Sequence, residues 1–268
     1  MSVLLKILNL HKCKFINTSL KRVDFQDIEF YDCVFRNIEL EDANLGSALF
    51  YGTNTIKGNF SRVKFRTTNF CDQRFKNCNF ENCDFTGTDF SKAVLNRVCM
   101  VYADIKSAIL KSIEIISSNL NNCNLENIDM WGAKLSRVSL EKSNFSYAKL
   151  QGCIIEKSNL SYAILNDILA TEAVFDETNF SDANLIRANL EDASLKRANL
   201  KYANLSYANM ANVDFYKADL REANLQGADM RGVNLEQANL TGANLIGANL
   251  SNANLKIQLL KILFLEVC

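Results

Sequence analysis

The chain has 268 residues, 48% of them apolar, which is enough for one large domain or two small ones. Thirty Lys and Arg balance thirty Asp and Glu, which excludes a function that depends on net charge. No apolar run reaches the length of a membrane span, and the N-terminus "MSVLLKILNL" lacks a basic start and a cleavage site. We therefore expect a cytoplasmic protein with neither a membrane span nor a signal peptide.

A large apolar residue recurs at every fifth position from Leu5 to Leu265, and only Thr55 and Ala170 break the series. Two residues before each of these central residues stands a small or β-branched one, such as Cys13 or Ala183. A period of five fits neither a helix, with 3.6 residues per turn, nor a strand, with a period of two. It fits short straight segments joined by tight turns, each pointing one large and one small residue inward.

Four such segments close a square coil of 20 residues, and stacked coils pair in parallel. The sequence thus predicts an all-β fold, a β-solenoid of about 13 coils that is ~60 Å long at ~4.8 Å per coil. The absence of proline fits a backbone whose amides are all committed to inter-strand bonds. Eight of the ten glycines lie two residues after a central residue, which indicates a turn that favours positive φ at that position.

Units such as "ANLIG", "ADMRG" and "CNFEN" resemble the pentapeptide repeat family, and the resemblance covers residues 1–255. It implies a right-handed quadrilateral parallel β-helix. Some members of that family resemble duplex DNA, bind type II topoisomerases such as gyrase and protect against quinolones. The Cys- and Phe-rich N-terminal half and the apolar tail are similar to that group, whereas the neutral charge balance and the absence of an inserted loop depart from it.

No motif typical of an enzyme is present, and a rod without long loops lacks the usual place for a catalytic site. We therefore expect no catalytic residue, no metal, no cofactor and no small-molecule substrate. His11 is the only histidine and is interpreted as a surface residue. Seven of nine cysteines share the small inward position, so we interpret them as buried thiols without disulfides.

When the outward side chains are assigned to the four faces of the square, the charges of this neutral chain are unevenly distributed among them. The face centred on residue 15 and every twentieth residue after it has 13 cations and 6 acids at its outward positions, a net charge of +7. We interpret it either as a solvated surface or as a strip that contacts nucleic acid, acidic protein or lipid headgroups. Its candidate binding residues are Lys14, Arg36, Lys57, Arg74, Lys76, Arg97, Lys134, Arg137, Lys157, Lys196, Arg197 and Lys217.

Two apolar features stand apart from the repeat. Ile154, Ile164, Leu169 and Val174 replace the Asn or Asp that most units place before the central residue, and are interpreted as packing beneath a small bulge or as a protein contact. The segment 256–268 is predicted to cap the last coil or to join two chains into a homodimer. Its apolar residues include Ile257, Leu260, Leu263, Phe264 and Val267.

From these features we predict a non-catalytic β-helical scaffold or protein-binding module, and we expect it to be bacterial. The alternative is a DNA-mimic-like regulator of a type II topoisomerase that confers quinolone protection. The sequence names no partner, because the repeats specify the rod and leave recognition to its surface residues.

Overall fold

The computed structural model describes residues 9–256, which fold into a right-handed parallel β-helix and contain no α-helix. Each paired residue lies 20 positions from its partner, from Asn9 and Glu29 at one end to Asn234 and Asn254 at the other. The described residues make about twelve coils of 20 residues, slightly fewer than the 13 predicted for the whole chain. The predicted fold is therefore confirmed.

Two stretches of the coil wall are regular parallel sheets, and the remaining segments pair through single bridges. The three-stranded sheet contains β1 (Asn9–His11), β3 (Glu29–Tyr31) and β5 (Leu49–Tyr51). The eight-stranded sheet contains β2 (Lys14–Ile16), β4 (Val34–Arg36), β6 (Asn54–Ile56), β7 (Arg74–Lys76), β8 (Val94–Asn96), β9 (Glu114–Ile116), β10 (Lys134–Ser136) and β11 (Ile154–Glu156). We name the four walls the first to fourth faces, centred on Leu10, Phe15, Leu20 and Phe25 and on every twentieth residue after each.

The five-letter motif follows from the hydrogen bonds of the backbone. In the unit 183–187, four of the five amides donate to backbone carbonyls at 2.7–3.1 Å: two on the next coil, one on the preceding coil and one across the corner. The fifth amide, of Ile186, donates to Oδ1 of Asn184 at 3.3 Å and to Oδ1 of Asn166, on the preceding coil, at 3.2 Å. An Asn or Asp before the central residue thus satisfies the one amide that the ladder leaves over.

Every corner of the square has a residue with left-handed backbone. Each fifth residue from Lys12 to Asn252 has φ between 49° and 74°, and all eight glycines predicted to occupy this position are among them. All of the others carry a side chain, at a cost in strain that the two flanking ladder bonds offset. The corner interpretation of the glycines is therefore confirmed.

The centre of the rod is filled by the central residues, which stack coil on coil. Phe65 and Phe85 lie with ring centroids 4.9 Å apart and nearly parallel, and Leu200 is fully buried. Hydroxyl and thiol groups at the small inward position also find partners there: Thr68 donates to the carbonyl of Leu45, 23 residues earlier, at 2.7 Å. Ser, Thr and Cys can therefore replace Ala in the core with a backbone carbonyl as partner, and among the described residues only the buried hydroxyl of Thr53 lacks a partner.

No bulge forms at either irregular unit, so the predicted packing beneath a bulge is wrong. Thr55 keeps the ladder by pairing with Phe35 and Phe75, and the fully buried Ala170 continues the same 20-residue pairing. Near Thr55 the ring of Phe60 fills the space beside Gly58. The backbone thus keeps its path at both small central residues.

The cysteines of the described residues are all free thiols, and five of them are buried in the core. Burial raises the pKa of Cys78 to about 11 and that of Cys123 and Cys153 to about 12. Cys268 and the predicted tail residues Ile257, Leu260, Leu263, Phe264 and Val267 lie outside the described residues. Residues 9–256 contain no helix with the length and apolarity that a bilayer crossing requires.

Two glycines allow corner strain and core packing to be separated. Gly152 has φ +60° and open space around its Cα, so Gly152→Ala should lower the free energy of unfolding by on the order of 1 kcal/mol through strain alone. Gly58→Ala should cost about 2 kcal/mol, because the added Cβ would overlap the ring of Phe60. Denaturant unfolding of each variant measures both costs.

The control is the substitution Phe60→Leu in each background. It should reduce the cost of Gly58→Ala and leave that of Gly152→Ala unchanged, because only the first pair is in contact. Additive costs for Gly58→Ala and Phe60→Leu would contradict the packing described for this coil.

Thiol reactivity should follow burial. With iodoacetamide at pH 8 we expect the half-buried Cys13, Cys71 and Cys99 to be modified first, and Cys78, Cys123 and Cys153 only after unfolding. Peptide mass spectrometry measures both sets. Equal labelling of all thiols in the native protein would refute the assignment.

The buried thiols also make stability depend on pH. Because folding raises the pKa of the buried thiols, their contribution to stability is complete below about pH 8.5 and is lost as the pH rises towards 11–12.

Candidate functional site

The eight-stranded sheet and the predicted basic residues occupy the same wall, the second face. All twelve residues predicted as a basic binding face are exposed there. They are Lys14, Arg36, Lys57, Arg74, Lys76, Arg97, Lys134, Arg137, Lys157, Lys196, Arg197 and Lys217. The structure therefore brings them together on one side of the rod.

The sheet explains why cations occupy this wall. In a regular strand the ladder uses the amide that elsewhere needs an Asn or Asp, so the position before the central residue accepts other side chains. On the second face it holds Lys14, Arg74 and Lys134, each at the start of a strand. The strand conformation thus frees outward positions for charge.

The excess positive charge is confined to the N-terminal five coils. From Lys14 to Arg97 the second face carries six cations and no acid, and we name these six residues the cationic strip. They are Lys14, Arg36, Lys57, Arg74, Lys76 and Arg97. From Glu114 to Glu236 acids and bases are equal in number. The corner before the strip is itself neutral, with Lys12 and Lys92 against Asp32 and Asp72.

No carboxylate among residues 9–256 neutralises the strip. The described residues form eleven ion pairs, and the only one that uses a cation of the second face is Lys196 with Asp214 at 3.3 Å. Elsewhere cations are paired across coils: Arg187 contacts Asp167 at 2.7 Å and lowers the pKa of that carboxyl. The unpaired cations are thus a local property of this surface.

A groove of about 560 Å³ runs along the corner between the second and third faces. Arg97 and Arg137 lie on its wall, with Ser117 on the coil between them. At these coils the hydrogen bond across the corner is absent, and the amide of Val98 instead donates to Oγ of Ser118 at 3.1 Å. The corner is therefore more open than at the regular units.

The predicted apolar patch does not form one surface. Ile154 and Val174 stack on the second face, Ile164 lies on the fourth face and Leu169 on the first. Ile154 belongs to strand β11, where no Asn or Asp is required. Ile164 and Leu169 are the most exposed, at 41% and 42%.

Sequence reasoning missed a surface on the fourth face. From Asn144 to Ile246 its outward positions, leaving out the corner residues, carry only Asn, Gln, Ser and Ile. Tyr147, Tyr162, Tyr202 and Tyr207 project from the two corners beside it and are more than half exposed. Sorting uncharged residues by face, as was done for charges, would have found this wall.

His11 is exposed, as predicted, and its ring stacks on Tyr31 with centroids 4.7 Å apart. Tyr31 stacks in turn on Tyr51 at 4.8 Å. Among residues 9–256 no group of three or more His, Cys, Asp or Glu side chains is arranged to hold a metal ion.

Solved structures similar to the chain include Rfr23, a pentapeptide repeat protein from the cyanobacterium Cyanothece 51142, with 34% identity over 32% of this chain and 58% of that one and a TM-score of 0.32. HetL from Nostoc sp. strain PCC 7120, involved in heterocyst differentiation regulation, has 27% identity over 92% of this chain and 88% of that one, with a TM-score of 0.31. QnrB1, a plasmid-mediated fluoroquinolone resistance protein, has 14% identity over 92% of this chain and 91% of that one, with a TM-score of 0.44. A comparison with curated proteins gave no match.

Two family models match most of the chain. The model described as "Pentapeptide repeats" matches residues 9–46, 154–192, 178–216, 193–232 and 218–256 in eight copies. The model described as "Pentapeptide repeat region" matches residues 73–150. With the 20-residue coil and the corner geometry described above, these matches show that the chain belongs to the pentapeptide repeat family.

Proposed function

We propose that this protein is a non-catalytic scaffold that binds an acidic surface of a partner protein through its cationic strip. The observation that carries the proposal is a strip of six exposed cations across five coils, without an acid on the same wall and without an ion pair among the described residues. Unpaired cations on one wall attract and orient an acidic partner.

The side chains between the cations favour a protein over a nucleic acid. Ile16 and Val34 lie on the same strands as Lys14 and Arg36, and Ile16 is 41% exposed. Apolar side chains mixed with Arg are typical of protein contacts, whereas binding to single-stranded nucleic acid usually adds aromatic rings on which bases stack. The outward positions described on the strip carry no such ring.

The alternative, regulation of a type II topoisomerase by DNA mimicry, stays a prediction. Such a mimic presents acidic charge, and the strip presents the opposite charge. The free thiols support the further proposal that the protein works in a reducing compartment such as the cytoplasm. Homodimerisation through the segment 256–268 also remains a proposal.

Charge reversal on the strip tests the protein-binding proposal. Arg36→Glu with Arg74→Glu should abolish capture of the partner from a lysate of the native cell, and 0.5 M salt should weaken capture by the unsubstituted protein. The matched control is Lys64→Glu with Lys149→Glu, two exposed lysines on the fourth and first faces without an ion pair among the described residues. Quantitative mass spectrometry of the captured proteins is the measurement. Equal loss in both double variants would refute the role of the strip.

A supercoiling assay separates the two functions. We expect micromolar protein to leave gyrase supercoiling unchanged, with or without a quinolone, because the strip lacks the acidic charge of DNA. Protection of gyrase from the quinolone would favour the regulator, and protection that survives Arg36→Glu with Arg74→Glu would place that activity on another face.

A further inference from the structure

The groove between the second and third faces has hydrogen-bond donors without acceptors. Neither Arg97 nor Arg137 has a carboxylate within ion-pair distance among the described residues. The hydroxyl of Ser117 and the side-chain amides of Asn77 and Asn119 also donate no hydrogen bond within that part of the chain. Five donor groups thus line one open groove, and a few convergent polar groups of this kind orient a small ligand.

The coil spacing places the donors symmetrically. Arg97, Ser117 and Arg137 share one corner column at successive coils, so the two arginines are about 10 Å apart at Cα, with Ser117 midway. Each guanidinium can reach a point above Ser117, and Arg is suited to bidentate contacts with an oxyanion. The left-handed corner residues, at φ 54°, 49° and 55°, direct all three side chains from the same backbone geometry.

We propose that this groove binds a phosphate monoester. A monoester carries a charge of about −1.5 to −2 and three terminal oxygens, which match two guanidinium groups and the hydroxyl between them. A carboxylate, with one charge, would leave one guanidinium unpaired. A nucleic acid strand would bring bases to a groove that has no aromatic residue in its lining.

The carboxylate of Glu81 contacts one lining residue of the groove, because the thiol of Cys99 donates to its Oε1 at 3.9 Å. It lies on the third-face side, away from the corner column. The site deepens the proposed function and rests on it, because Arg97 is also the last residue of the cationic strip. The phosphoryl group is either that of a free ester or that of a phosphorylated residue on the partner.

The test measures binding of small probes to the full chain by calorimetry, at constant ionic strength. The probes are inorganic phosphate, a phosphoserine peptide and the same peptide with serine. We expect saturable binding of both phosphate probes and none of the serine peptide. Arg97→Gln and Arg137→Gln should each weaken that binding about tenfold or more, because each removes a hydrogen bond to a charged group.

The matched control is Arg197→Gln, which removes an arginine from the same corner column beside Asp176 and Glu177. It should leave phosphate affinity unchanged. Equal affinity for inorganic phosphate and phosphopeptide would assign the site to free esters, and tighter binding of the phosphopeptide would assign it to a phosphorylated partner. No saturable binding of either phosphate probe, or equal loss in Arg197→Gln, would overturn the proposal. Partner capture is not used here, so failure of the strip proposal remains distinguishable.

Discussion

The structure depends on one constraint, the parallel hydrogen-bond ladder between residues 20 positions apart. In a rod this narrow every backbone amide lies near the core or a corner, and each needs an acceptor. Four of five amides in a regular unit find it in the ladder or across the corner, and Asn184 shows how a side chain supplies the fifth. The Ala-Asn-Leu motif therefore recurs because every unit has the same backbone amides to satisfy.

The same constraint limits the choice of residue type more at some surface positions than at others. Where the corner is closed, the position before the central residue is usually Asn or Asp, although Lys64 and Lys149 also occupy it. Where the wall is a true strand, as at Arg74 or Lys134, that position is released for charge. The open corner beside Leu95 also leaves room for the groove near Arg97. Both candidate binding features thus arise where the regular turn gives way to a sheet.

Much of the fold could be predicted from the sequence because the period leaves few geometries. The inward Leu200, the corner glycines and the face of each cation all follow from counting in fives and twenties. The parallel pairing was predicted, but the restriction of regular strands to the first and second faces was not, because closed and open corners share the same period. A signal was nonetheless present: the second face has Lys14, Val34, Arg74 and Val94 where most units of the other walls have Asn or Asp. The groove, the ion pairs and the uncharged fourth face depend on side-chain positions that the period does not specify.

Because the cross-section is a square of 20 residues, a surface residue keeps its face only if the chain before it changes length by a multiple of 20 residues. Loss of a single five-residue unit between Arg97 and Arg137 would keep every central residue inward, yet it would turn all later side chains by one wall and carry Arg137 to a different corner. Loss of four units would shorten the rod by one coil, about 5 Å, and leave each column intact. Core and surface are thus subject to different rules of insertion and deletion, so a chain of this kind can keep its stability while a quarter turn rearranges everything that a partner touches.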